Sequence, residues 1–192
     1  MKSRVLAFCL GISTILAVSQ RILAQDSAEK ASSKIRCRVT KEEVEVYADF
    51  LRSQQEPTHL TAIVTHTDAR DYDIDSFNWQ LAARGHGIPP EIRDDFRNKN
   101  RVYCTVEPFS GIPNLKFISR SEENKSWSEF HKMYGKGSNI VTVSRVGFSQ
   151  NKNLALLEAL WAGQGGAAGF LYMLERKDKV WVVKWYIQTA AT

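Results

Sequence analysis

The sequence predicts an α+β domain with N-terminal helices packed on an antiparallel sheet that ends in a four-stranded meander. Three observations predict it. Two S/T-x-x-E pairs, Thr40 with Glu43 and Ser126 with Glu129, open stretches whose apolar residues recur at helical spacing. Runs near 139–148, 154–162, 169–177 and 180–189 are rich in β-branched and aromatic residues, with polar or Gly-rich breaks between them. Helices that precede a continuous series of strands are the order that stacks helices on one face of an antiparallel sheet.

Before the domain, Lys2 and Arg4 lead into a charge-free apolar run from Val5 to Val18, which Gln20 and Arg21 end. These are the basic and apolar parts of a cleavable secretory signal at 1–24. A run of about 14 residues is shorter than the ~20 that span a bilayer. Ala17 and Ser19 suit cleavage after Ser19, and Ala24 offers a second position. Cys9 lies inside the apolar run, so it does not become a lipidated first residue. Residues 25–34 are polar, small and without period, so a disordered mature N-terminus is expected over 25–36 and the domain over 37–192.

Losing Lys2, Arg4 and Arg21 with the signal lowers the formal charge from +5 to +2, so the basic character belongs mostly to the precursor. With Lys and Arg scattered rather than striped, no nucleic-acid partner is expected. No second apolar run of membrane length occurs, so the mature chain is expected to be periplasmic or secreted, without an integral membrane segment. Cleavage leaves Cys37 and Cys104. In an oxidising compartment they are a disulfide candidate whose closed loop would contribute ~4 kcal/mol; two small buried hydrophobes are the alternative.

In the domain, Thr40 caps a helix in which Val44, Tyr47, Ala48 and Leu51 share a face, with Val39 stapled onto Val44, and which ends before Pro57. A strand is predicted at about 59–66, with Leu60, Ala62 and Val64 on one side. Two short helices follow, one near 76–84 stopped by Gly85 and one opened by Pro89 and Pro90 that carries Ile92 and Phe96. Leu115 to Ser119 reads as a strand. Ser126 starts a helix holding Trp127, Phe130 and Tyr134, which Gly135 ends.

If Asp178 and Lys179 form the turn of the last hairpin, Leu174 faces Val183, Tyr172 faces Trp185 and Phe170 faces Ile187, with Glu175 near Lys184 on the other side. A longer loop with a shifted register is the alternative, because Asp-Lys lacks the glycine that primed turns prefer. Four strands around N-terminal helices are similar, at fold level only, to cystatin-like or cone-shaped domains.

Ser144-Arg145-Val146-Gly147-Phe148, then Ala155-Leu156, the Gly-rich turn from Gly163 to Gly169, and Leu174 with Trp181 and Val183 together resemble a group of uncharacterised secreted bacterial proteins. The resemblance covers most of the mature chain and implies a class and a compartment but no activity. Members often carry cysteines in the Gly-rich turn and a glycine in the last hairpin. Here Gln164, Ala167 and Lys179 stand instead.

No reactive motif is complete. Asp71, Asp73 and Asp75 alternate as at the start of a calcium loop, yet Ser76 replaces its glycine and Ala82 its bidentate glutamate. His59, His66, His86 and His131 lack metal-ligand spacing, and no metal or other cofactor is expected. The glycines of 163–169 lie between strands, where no helix start can complete a phosphate cradle.

Arg145 shares a strand face with Val141, Val143 and Gly147; if buried it needs a partner, either Glu158 on the next strand or the carboxylate of a ligand. Trp161, Trp181 and Trp185 crowd the same sheet as core or as a sugar platform. The function expected is a non-enzymatic binding or interaction module with Arg145 and Glu158 as ligand-site candidates, its partner a small ligand or an envelope protein. The alternative is an exported hydrolase that uses His66 and Asp68, or His131.

Overall fold

The computed structural model describes residues 37–54, 59–68, 74–82 and 85–191, which belong to one compact unit from Cys37 to Thr192. The predicted signal at 1–24, the segment 25–36, Asp71 and Asp73 lie outside the described residues. The elements are β1 (Cys37–Arg38), α1 (Lys41–Gln54), β2 (Thr61–Val64), α2 (Ile74–Ala82), α3 (Pro90–Lys99), β3 (Cys104–Thr105), β4 (Leu115–Ile118), α4 (Arg120–Glu123), α5 (Trp127–Tyr134), β5 (Asn139–Val143), β6 (Gly147–Phe148), β7 (Leu154–Gly163), β8 (Gly166–Lys177) and β9 (Val180–Ala191). No helix among them is long and apolar enough to cross a membrane.

The main sheet runs β4-β2-β5-β7-β8-β9, with β6 pairing on β7, while β1 and β3 form a separate parallel pair. The antiparallel meander is present from β5 through β9. The whole sheet is mixed, however, because β2 lies parallel to both β4 and β5. Every residue of β2 is buried, the two-sided burial typical of parallel strands, which appears in sequence as a bare apolar run.

Helices cover both faces of the sheet rather than one. Leu156 and Leu157 are neighbours in β7 and so point to opposite sides. Leu157 packs with Val46, Tyr47, Phe50 and Leu51 of α1. Leu156 packs with Ile74 and Leu81 of α2 and with Ile92 and Phe96 of α3. On that second side, but over β2, β4 and β5, Phe130 of α5 meets Ala62, Val64, Ile118 and Ile140. The second side therefore carries two helical groups placed over different strands.

Local signals explain most element boundaries. In both expected capping boxes the hydroxyl accepts the Glu amide and the Glu carboxylate accepts the cap amide. Ser119 and Glu122 form a third at α4. The buried face of α1 is Glu43, Val46, Tyr47, Phe50 and Leu51 instead of the predicted Val44, Tyr47, Ala48 and Leu51. The spacing starts from a buried glutamate, which hydrophobic periodicity cannot register.

The last hairpin has the predicted turn, with Asp178 at φ 49° and Lys179 at φ 72°, the positive pair of a primed turn made without glycine. Its register is as predicted as far as Leu174 with Val183, after which Met173 faces Trp185 and Tyr172 faces Tyr186. A β-bulge leaves Lys184 as the extra residue, and one residue of slip exchanges the faces. Trp185 consequently joins the cluster under α2 and α3. Tyr186 takes the place beside Tyr172, with ring centroids 5.7 Å apart, and Lys184 Nζ still lies 3.8 Å from Glu175 Oε1.

Candidate functional site

The segment Ser144–Phe148 joins the two helical layers, and each of its residues is committed to internal bonds. Ser144 Oγ accepts from the Glu158 amide at 2.9 Å, and the Tyr47 hydroxyl donates to Ser144 O at 2.8 Å. Asn100 accepts from the Arg145 amide at 2.7 Å and donates to the Arg145 carbonyl at 3.1 Å. The Val146 amide donates to Glu43 and the Phe148 amide to Asp95. A Cβ on Gly147 would lie 2.8 Å from both Ile92 O and Phe96 N, so only glycine lets the α3 backbone come this close.

Arg145 is 7% exposed. Its Nε and Nη2 donate to the two oxygens of Glu43 at 2.7 and 2.8 Å, a bidentate pair. Its Nη1 lies 2.9 Å from Cys104 Sγ and 3.2 Å from Cys37 Sγ. Those cysteines form a disulfide between register partners of β1 and β3. Burial alone would raise the Glu43 carboxyl; the Arg145 guanidinium together with the Thr40 and Val146 amides outweighs it and lowers the group below its ordinary value. Burial, then the Glu43 charge, pushes the Tyr47 hydroxyl well up.

The partner that the geometry gives Arg145 is therefore Glu43 of α1, where the sequence suggests Glu158. Arg145 lies between β5 and β6 rather than within a strand, so strand alternation does not direct its side chain toward β7. Glu158 instead accepts from Thr189 Oγ1 at 2.7 Å.

A different group of polar side chains meets at the ends of the parallel strands. Beyond β2, the Thr65 amide donates to Ile118 O, the Thr67 amide to Cys104 O and the Asp68 amide to Val143 O, each at 2.9 Å. These bonds tie Thr65–Asp68 to three strands. Thr67 Oγ1 accepts the Cys104 amide, while alternation sends His66 and Asp68 the other way. Both line a cleft of about 160 Å³ with Tyr103, Arg120, Glu123 and Thr142, over an apolar floor of Val64 and Leu160.

In this cleft the Arg120 guanidinium stacks on the Tyr103 ring, 5.3 Å from its centroid. No ion pair of Arg120 occurs among the described residues. Thr142 Oγ1 donates to Glu123 Oε1 at 3.2 Å, which holds the carboxylate over the sheet. His66 Nδ1 is a long 3.4 Å from Thr65 Oγ1. The arrangement offers a cation, two carboxylates and an imidazole around a small volume. Such a set can orient a polar ligand by charge at two points.

The other histidines lie elsewhere. His131 stacks beside Trp127 on α5, His86 lies near Trp185, and His59 packs under Gly137. No group of three His, Cys, Asp or Glu among the described residues is arranged to hold a metal ion. Asp75 accepts from Arg93 and Arg97 of α3, and the Gly-rich turn closes the β7–β8 hairpin. Trp181 is buried, and Trp161 lies against Phe50 of α1.

Of the cleft residues, the sequence singles out His66 and Asp68. Tyr103, Thr142 and the α4 pair of Arg120 and Glu123 come from three segments that carry no shared motif. Comparisons of the chain with protein-family models, with curated proteins and with solved structures find no match.

Proposed function

We propose that this chain is an exported, non-enzymatic binding module whose ligand site is the cleft at the ends of β2 and β4. The observation that carries the reading is the contrast between two polar centres. Arg145 has its Nε, Nη1 and Nη2 engaged by Glu43 and the disulfide sulfurs, whereas Arg120 lies in a cleft with no carboxylate bonded to it among the described residues. An oriented cation beside Asp68 and Glu123 is a recognition feature, and the cleft lies where open α/β sheets commonly bind ligands, at strand carboxyl ends. Export draws its support from the apolar run at Val5–Val18 and from the Cys37–Cys104 bridge.

A thermal-shift screen of small polar compounds tests the site, since a ligand that binds only the folded state raises the melting temperature. The expected result is a shift that Arg120→Gln with Glu123→Gln removes; a shift that survives both changes refutes the assignment. Export is tested by the mass of the mature product, which should begin after Ser19 or Ala24.

The second reading, an exported hydrolase, is favoured by one observation, that His66 and Asp68 line the same cleft. His131, on α5, takes no part in that cleft. Hydrolysis of an ester or amide substrate that His66→Ala abolishes, with folding unchanged, would favour this reading over the binding module.

A further inference from the structure

The geometry points to a small zwitterion of the amino-acid class as the ligand of the strand-end cleft, with its carboxylate on Arg120 and its ammonium on Glu123. The inference rests on the proposed role of this cleft and adds the chemistry of what enters it. At about 160 Å³ the cleft is smaller than the ~300–1,000 Å³ of sites for drug-sized ligands. Nucleotides and oligosaccharides are therefore too large, and the occupant is a molecule with few heavy atoms.

Charge decides the class. Among the described residues Arg120 is held by its stack on Tyr103 and makes no ion pair, so its planar fork can meet a carboxylate with two parallel N–H···O bonds. A multiply charged anion such as phosphate would also meet Arg120, but Asp68 and Glu123 line the same small volume and would repel it. A simple amine would have the carboxylates and then meet the guanidinium. A molecule with both charges on adjacent carbons satisfies both sides at once. Glu123 is placed for the ammonium because Thr142 occupies its Oε1 and steers the carboxylate over the sheet. The floor of Val64 and Leu160 is apolar, which suits a short aliphatic side chain.

The test is amide chemical-shift mapping on the protein with its disulfide intact, at constant ionic strength. Three probes are compared: L-alanine, propionate as the carboxylate alone, and propylamine as the ammonium alone. L-alanine should give saturable shifts at His66, Arg120 and Thr142, and each single-charge probe should bind about tenfold or more weakly, since each loses charge-assisted hydrogen bonds. Arg120→Gln, a change at an exposed side chain, should weaken L-alanine by a similar factor while the spectrum elsewhere stays that of the folded protein. If propionate or propylamine binds as tightly as L-alanine, the zwitterion inference fails and the cleft remains a ligand site. If none of the three gives saturable shifts at the cleft while another compound from the thermal screen does, the class alone is wrong. If no compound of either set binds there, both inferences fall.

Discussion

Glu43 receives Arg145 with both carboxylate oxygens, at 2.7 and 2.8 Å, across 102 residues of sequence. The same carboxylate accepts the Thr40 amide that caps α1 and the Val146 amide. One buried side chain thus fixes the start of α1 to the segment that leads into β6. Removing one member of a buried ion pair leaves the other charge without compensation, which costs about 3–5 kcal/mol. Urea denaturation of Glu43→Gln and of Arg145→Met should each show a loss of that order. The double variant should lose less than the two single losses together, since it strands no charge. Additive losses would mean that the pair is not an energetic unit.

A second carboxylate makes the pH dependence testable. Glu122 is held at about 2 by the Ser119 amide, then by the Tyr134 hydroxyl and the Ser119 hydroxyl. Tyr134, whose hydroxyl donates to Glu122, is pushed up to about 12 by that bond first. A carboxylate depressed in the folded state contributes stability above its unfolded pKa, and the contribution disappears as pH falls through the folded value. The benefit of Glu122 should therefore be complete above 4.5 and decline toward 2. Carbon-detected NMR titration should give Glu122 a midpoint near 2, and Tyr134→Phe should raise it toward the ordinary value. A midpoint near 4.5 in the unaltered protein would contradict the bonding described.

What could be read in the sequence followed how local the signal was. The capping boxes at Thr40 and Ser126 and the turn at Asp178 depend on residues within a few positions of each other, and they were legible. The bulge at Lys184 was not, because it answers to packing under α2 and α3 on one side and beside Tyr172 on the other. Parallel pairing of β2 left no trace, since four residues buried on both faces carry no alternation. The bond from Arg145 to Glu43 was hidden in another way. Glu43 had a sufficient local explanation as a cap, and nothing nearby announced its second partner. The cleft was half legible: His66 and Asp68 stood out as a pair, but Arg120 acquires meaning only when the distant Tyr103 and Asp68 line the same cleft.

Gly147 gives a prediction of opposite kind, since adding atoms is what harms. A Cβ there would come within 2.6 Å of Phe96 Cβ and 2.8 Å of two backbone atoms of α3, which cannot yield as a flexible side chain does. Gly147→Ala should destabilise by about 1–3 kcal/mol, the usual cost of overpacking. Gly165, where no atom lies within 4 Å of the added carbon, is the control, and Gly165→Ala should change stability far less. Equal effects at the two positions would show that the close approach of α3 does not limit the fold.

The disulfide carries the last prediction. β1 and β3 are two residues each, too short a pair to hold alone, and the bridge between Cys37 and Cys104 closes a span of 67 residues. In the chain-entropy model a loop of that size contributes about 4 kcal/mol through the unfolded state. Reduction should lower the urea midpoint by the corresponding amount without changing the fold at low denaturant, because Cys104 stays in the core with Val106 and Val143 and the Glu43–Arg145 pair does not depend on the bond. Thiol titration of the denatured, unreduced protein checks the premise and should find neither cysteine free. If the reduced protein unfolds at the same urea concentration as the oxidised one, the bridge contributes nothing, and anchoring of the chain at Cys37 must come from the Val39 amide bonded to Thr105 O at 3.1 Å.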